Sequence, residues 1–372
     1  MDSPVLFDSF TTASGHRIAL ATLNAEKSLN ALSHDMVGLL ANQLARWQRD
    51  PLVACVVLRG AGDKAFCAGG DVRALREALL QDTRYPSPAA QSFFTDEYRL
   101  DYAIHTYPKP LIVWGNGIVM GGGLGLLAGA SHRVLTERTR IAMPEIAIGL
   151  YPDVAGSWFL QRMPARLGLF LGLTGAAINA HDALIANLAD CVLDHASWPE
   201  LLDALHHASW DGGDDFATVS ALLDSLEDAC PHALPDSHIA PRLIAIHQLM
   251  NRGSLTAVAD ALQQAHGGSD AWLAGAASGF AAGCPMSAAV TWEIFRRARH
   301  LSLAEALRME LVLSVNFCAR PDFREGVRAL LVDKDRQPQW SSQSLADIDP
   351  AAIAAHFTSP WASDAHPLAD LL

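Results

Sequence analysis

Two glycine-rich turns hold the residues whose types and spacing could do chemistry in this chain. The first is KAFCAGGDV, Lys64 to Val72, and the second lies in GNGIVMGGGLGLL, Gly115 to Leu127. Each reads as strand, turn, helix. Glycine at such a turn lets a ligand approach the backbone and leaves N–H groups open at the helix start. Two turns of this kind, brought together by a fold, could aim two N–H groups at one developing oxyanion. Taken singly, either cluster is explained as well by a tight turn with close helix–strand packing. The dinucleotide fingerprint G-x-G-x-x-G fails because Met120 stands where its last glycine belongs. No G-x-x-x-x-G-K-[ST] and no G-x-S-x-G nucleophile elbow occurs.

Other reactive side chains are weaker candidates. Cys67 sits inside the first glycine cluster with no histidine near it in sequence, so a small buried thiol is expected. The chain has 15 histidines but no H-E-x-x-H, and the adjacent His206 and His207 would point to different sides of a helix. No metal site is expected.

The elements that must position the glycine turns are short strands alternating with helices. RIALATLN (17–24) and ACVVLRG (54–60) are strand-like. Between them, HDMVGLLANQLARWQRD (34–50) puts Met36, Leu39, Leu40, Leu44 and Trp47 on one helical face. KPLIVWGNGIV reads as a strand leading into the triple glycine, and HRVLT and RIAMPEI follow. Residues 1–195 thus read as an α/β core. Residues 196–372 read as a helical C-terminal region, in runs such as APRLIAIHQLMNR and SAAVTWEIFRRARHLSLAEALRMELVLSVNF, and one integrated domain could contain both. WDGGDD (210–215) and PHALPDSHIAP (231–241) read as connections.

Composition bounds the function. Hydrophobic residues make up 50% of the 372 and charged ones 18%, as in a packed globular protein. A net charge of −13 argues against a general nucleic-acid or anionic-membrane binder, which needs a basic face. The apolar run 111–130 contains seven glycines and an asparagine, unlike a spanning helix. Cys55, Cys67, Cys191, Cys230, Cys284 and Cys318 are scattered without a C-x-x-C pair, which suggests a reducing compartment. The first residues carry neither a secretory nor an Arg-rich transit pattern. The expectation is a soluble, cytoplasmic protein.

KAFCAGGDV and GIVMGGGLGL, followed by IAMPEIAIGLYPDVAGSWFL, resemble the crotonase (enoyl-CoA hydratase/isomerase) superfamily of acyl-CoA enzymes from roughly Ala19 to Leu193. Within it the chain is most similar to the 3-hydroxyisobutyryl-CoA hydrolase group, and NFCARPDFREGVRALLVDKDRQPQW (316–340) extends that likeness. The resemblance implies a crotonase-type ββα superhelix (the ClpP/crotonase fold) and a short β-hydroxyacyl-CoA as substrate, as in valine catabolism. It implies no cofactor, since coenzyme A is part of the substrate, and it allows a homo-oligomer.

The family's residues carry over by position. The oxyanion donors would be the N–H groups of Gly70 and Gly122, and Asp71 would cap the helix that follows. Hydratases of the superfamily use two glutamates. The first falls on Gly125, which has no side chain to move a proton, and the second on Glu145. Asp153 is an added carboxylate where typical hydratases have glycine. That is the hydrolase pattern, with Glu145 as nucleophile or general base and Asp153 binding the substrate hydroxyl and helping to position water. Two such carboxylates close together should push one pKa upward. By residue type alone, Glu145 is a charged strand end and Asp153 an Asp in a proline turn. Glu97 matches a substrate-contacting glutamate, or else shares a solvated helix face with Asp96, Arg99 and Asp101. Ala68 and Lys27 complete the implied substrate contacts, Lys27 in the loop LNAEKSLNALS. Two other readings stand beside hydrolysis: a hydratase or isomerase on the same fold, and a non-catalytic acyl-CoA-binding subunit.

Overall fold

The computed structural model describes residues 3–210, 213–229 and 234–372. Cys230 and parts of the two connections named above lie outside the described residues. The chain forms two compact units, each drawn from three stretches. Unit 1 takes Met1–Gly70, Arg99–Ile141 and Ile178–Ile239, and unit 2 takes Asp71–Tyr98, Ala142–Ala177 and Ala240–Leu372. Neither is a contiguous half of the chain, and residue 195 falls within the third stretch of unit 1.

Unit 1 is built on ten strands: β1 (Val5–Thr11), β2 (Arg17–Leu23), β3 (Val53–Gly60), β4 (Ala65–Cys67), β5 (Leu111–Gly115), β6 (Ile118–Met120), β7 (His132–Thr136), β8 (Arg140–Ala142), β9 (Ile178–Asn179) and β10 (Cys191–Leu193). A six-stranded sheet runs in the order β1-β2-β3-β5-β7-β10 and a four-stranded one β4-β6-β8-β9. The first pair, β1 and β2, is antiparallel, and the remaining pairs of the larger sheet are parallel. The central strand β3 is buried from Val53 through Leu58, as expected of a parallel strand covered on both faces. On one face Val57, Ile112 and Val134 form a core with Leu201 and Leu205 of the helix Trp198–His207 and Val219 and Leu223 of the helix Asp215–Ala229. The helix His34–Arg49 buries Met36, Val37, Leu40, Leu44 and Trp47, so Val37 takes the place expected for Leu39.

The segment KPLIVWGNGIV is two strands in different sheets, not one. Gly117 has φ +70, and a Cβ there would lie 2.3 Å from the Lys64 carbonyl oxygen. Asn116 holds the bend, its amide donating to Asp63 O (3.1 Å) while its carbonyl accepts from Thr136 Oγ1 (2.8 Å). This switch places the triple glycine at the end of the small sheet.

Unit 2 is mostly helical. Its central helix, Leu303–Cys318, is buried without a break from Glu310 through Cys318, more than two turns on every face, the mark of a core helix. The long run 287–317 is two helices, Pro285–Arg297 and Leu303–Cys318, because Ser302 starts the second with a capping box closed by Glu305. No single helix among the described residues is long and apolar enough to cross a membrane.

Candidate functional site

In unit 1 the two glycine clusters meet. Strands β4 and β6 are parallel neighbours, with Cys67 opposite Val119, so the turns that follow them lie side by side. A Cβ on Gly69 would sit 3.3 Å from Met120 O and 3.7 Å from Gly122 N. One on Gly123 would lie 2.4 Å from Cys67 O, a backbone atom that cannot swing away. Gly121, at φ 47 and ψ −125, holds a conformation that only glycine adopts readily. Gly122 opens the helix Gly122–Gly129, where a first-turn N–H has no partner within the helix. Gly125 is buried in the same helix and donates to Gly121 O at 3.1 Å. Cys67 is fully buried, as expected of a packing thiol.

The loop carrying Lys27 is tied to the first cluster. Ala68 N donates to Leu29 O (3.0 Å) and Leu32 N to Gly69 O (2.8 Å). Asn30, which sequence reasoning passed over, is 1% exposed and bonds three backbone groups: it donates to Ala61 O and Ala65 O and accepts from Ala25 N. Leu29 and Asn30 are both left-handed (φ 54 and 56), and asparagine tolerates that region. Unit 1 therefore gathers Ala68, Gly70 and Gly122, with Lys27 exposed on the nearby turn Glu26–Ser28. His206 and His207 donate to different backbone carbonyls, Thr11 O and Asp203 O. Among the described residues no three His, Cys, Asp or Glu side chains form a metal-holding group.

In unit 2 both carboxylates are buried, and a polar network holds Asp153. Glu145 begins the short turn Glu145–Ile148 after β8, and only 5% of it is exposed. Its Oε2 has no hydrogen-bond partner among the described residues. Burial, and secondly the charge of Asp153, hold its pKa well above the ordinary glutamate range. Asp153 is 4% exposed, and burial pushes its pKa up to about 7 although the Tyr98 hydroxyl, donating to Oδ2 at 2.8 Å, pulls it back. Both carboxyls are thus raised, not one, and burial outweighs mutual repulsion.

Behind Asp153 lie four residues that sequence reasoning missed. Tyr98 and Tyr151 both meet Ser314 Oγ, at 2.6 and 2.8 Å. One turn earlier on the same helix, Glu310 accepts from Ala155 N (2.8 Å), Ser157 N (2.9 Å) and Ser157 Oγ (2.5 Å). Those bonds clamp the turn after Asp153, where Val154 and Ala155 are left-handed without being glycine (φ 51 and 67). Burial raises Glu310 to about 8 against these hydrogen bonds. The available signal was a lone glutamate inside the apolar run LRMELVLSV, since a charge at a core position demands partners. Glu97, just before Tyr98, is 3% exposed and Asp101 fully buried, which removes the solvated-face reading. Asp71 caps the helix Val72–Gln81 by accepting from Ala74 N at 3.1 Å.

Known proteins resemble this chain over most of its length. The family model described as enoyl-CoA hydratase/isomerase matches residues 18–357. A 3-hydroxyisobutyryl-CoA hydrolase of Xenopus tropicalis, named as mitochondrial, is 38% identical over 92% of this chain and 87% of its own length. A small ribosomal subunit protein of Neurospora crassa is 33% identical over 94% of this chain and 70% of its own. A crystal structure of a carnitinyl-CoA dehydratase from Mycobacterium thermoresistibile, 34% identical, superposes with a TM-score of 0.85 over 99% of both chains. The cytoplasmic expectation is corrected by these names, because the hydrolase relatives are mitochondrial. Scattered thiols separate reducing from oxidising compartments and do not tell one reducing compartment from another. On the extent of the family match and the identity to these relatives, the chain belongs to the enoyl-CoA hydratase/isomerase family, the crotonase superfamily that its glycine clusters resemble.

Proposed function

We propose that this protein hydrolyses a short β-hydroxyacyl-CoA thioester, with 3-hydroxyisobutyryl-CoA as the substrate and 3-hydroxyisobutyrate and CoA as products. The observation that carries the reading is the pair Glu145 and Asp153, buried together in unit 2 with both pKa values raised. A carboxyl tuned upward by burial is a stronger base near neutral pH than one in water. The names of the hydrolase relatives support the substrate.

In this reading the N–H groups of Gly70 and Gly122 receive the thioester oxygen as it gains negative charge, a stabilisation that grows toward the transition state. Asp153 accepts the substrate hydroxyl and orients water, and Glu97, Ala68 and Lys27 bind the remainder of the substrate. Glu145 acts in one of two ways. As general base it takes a proton from water, whose oxygen bonds to the carbonyl carbon. As nucleophile it bonds to that carbon itself, and water then opens the anhydride. In both, the C–S bond breaks and CoA leaves as a thiolate that takes up a proton. No cofactor enters. A single turnover in heavy-oxygen water labels Glu145 only by the second route.

Two rivals have a specific motive each. A neighbour named as a dehydratase favours water addition or elimination, but Gly125 supplies no second acid. The ribosomal relative favours a binding role without turnover. A thiol-release assay on a thioester panel separates the three. CoA release from 3-hydroxyisobutyryl-CoA, lost in Glu145→Gln, supports the proposal; hydration of an enoyl-CoA without thiol release, or binding with no turnover, overturns it.

A further inference from the structure

Unit 2 holds a second concavity that the thioester reading does not use. It is an open cleft of about 760 Å³ lined by Arg162, Arg166, Arg252, Arg296 and Arg299, with no acidic side chain in its wall. In a chain with 40 acidic and 27 basic residues, five guanidinium groups around one cleft is a local reversal of sign. Like charges gathered this way repel, and the arrangement is relieved by an anion between them.

Two of the five are already engaged. Arg162 donates to Trp158 O at 2.6 Å and lies 3.6 Å from the centre of the Trp158 ring. Arg296 pairs with Glu293 at 2.9 Å, but that carboxylate also serves Arg297 at 2.8 Å. Arg166, Arg252 and Arg299 form no ion pair with any described residue. Their exposed heads are free to make the two-pronged bonds that guanidinium groups form with phosphate oxygens.

The remaining wall is apolar. Trp292 and Phe295 are half-buried at its side, and Met163 and Leu169 are buried beneath. A cleft within the usual few-hundred to thousand Å³ of a small-molecule site, with cations on one part and aromatic rings on another, suits a ligand that is itself divided.

We propose that this cleft binds a nucleotide bearing two or three phosphates, with the phosphates on Arg166, Arg252 and Arg299 and the base against Trp292 and Phe295. The ligand is a free nucleotide, separate from the nucleotide portion of a CoA substrate. The inference does not rest on the thioester reading.

Calorimetry of the full chain with ATP, ADP and adenosine tests it, alongside the double variant Arg252→Glu/Arg299→Glu and a control, Arg46→Glu/Arg49→Glu, whose arginines end the helix His34–Arg49 in unit 1. The expected result is saturable binding of ATP and ADP that weakens with salt, none of adenosine, and a loss of roughly tenfold or more in the double variant alone. Its melting temperature and thioester turnover should match the native chain, because both side chains are exposed and outside the catalytic groups. Absence of ATP binding, equal binding by the double variant, or equal loss in the control would each overturn the proposal. So would displacement of ATP by free CoA coupled to a raised KM for the thioester in the double variant, which would make the cleft part of the substrate site.

Discussion

The glycine turns of unit 1 and the carboxylate network of unit 2 prepare for chemistry in opposite ways. The turns work by having no side chains. Backbone passes against backbone at distances that leave no room for a methyl group, as at Gly123 and Cys67 O, and a helix start at Gly122 leaves first-turn N–H groups without a partner in the helix. The network works by excess of side chains: two tyrosines, two serines and the carboxyls of Asp153 and Glu310 are hydrogen-bonded in a buried setting. The first arrangement is geometric and insensitive to pH. The second is electrostatic, and its protonation state changes across neutral pH.

The sharpest test of that contrast is Glu145→Gln. It keeps the shape and removes the base, so thioester turnover should fall by about 10³-fold or more while the protein stays folded. Retained turnover in this variant would show that Glu145 is neither the base nor the nucleophile. Next in size is Gly123→Ala. Its Cβ would meet Cys67 O at 2.4 Å, forcing the two turns apart at a cost of about 1–3 kcal/mol. Turnover should drop about 100-fold through misplaced N–H groups, with the pH profile unchanged. A shifted profile would show that the two regions are not separable in the way described.

The pH profile itself belongs to unit 2. With burial holding Asp153 at about 7 and Glu145 well above the ordinary glutamate range, activity should climb as pH rises through neutrality. Stability should move the other way. Between the ordinary value of 3.8 and about 7 the folded chain holds a proton on Asp153 that the unfolded chain releases, so this group's contribution weakens as pH rises through that window. Denaturant melts at low and high pH should therefore show Asp153→Asn gaining most over the native chain above neutrality, with the gain shrinking toward pH 5. A gain that stays constant with pH would mean that Asp153 is ionised throughout.

The two regions also differed in how legible they were. The glycine clusters, the alternation of strands and helices and the Asp71 cap could be read from sequence because each rests on neighbours in the chain. Met120 in place of a glycine excluded a dinucleotide site by residue type, and Gly125 argued against a hydratase only through the position that the family resemblance assigns to it. The network was opaque beyond Glu145 and Asp153, because Tyr98, Tyr151, Glu310 and Ser314 come from three distant stretches and only folding brings them together. The split of KPLIVWGNGIV between two sheets was hidden for a similar reason. Its bend depends on Asn116 bonding to Asp63 and Thr136, which no local pattern reveals.

Glu310 is where the hidden part can be probed. Glu310→Gln keeps an acceptor but removes half of a carboxylate that takes three hydrogen bonds, leaving a buried donor poorly paired at about 1–3 kcal/mol. If its role is to hold Asp153 through the left-handed turn at Val154 and Ala155, kcat should fall about tenfold with KM little changed, and the rise of activity near neutrality should shift. A loss of stability with unaltered kcat and pH profile would leave Glu310 a purely structural group.

The smallest effect is expected where the two kinds of region adjoin in sequence. Asp71 follows Gly70, and its carboxylate sits beside the backbone that would hold the oxyanion. That carboxylate caps the helix by accepting from Ala74 N. Asparagine caps a helix about as well as aspartate, so Asp71→Asn should keep both stability and turnover close to native, within about twofold. Asp71→Ala loses the cap, costs about 1 kcal/mol and frays the helix start that fixes Gly70, so a modest fall in kcat should accompany the lower melting point. The ordering of the two variants is what matters. Were Asp71→Asn as inactive as Glu145→Gln, the charge and not the cap would be the working feature, and unit 1's turns would no longer be a site made of backbone alone.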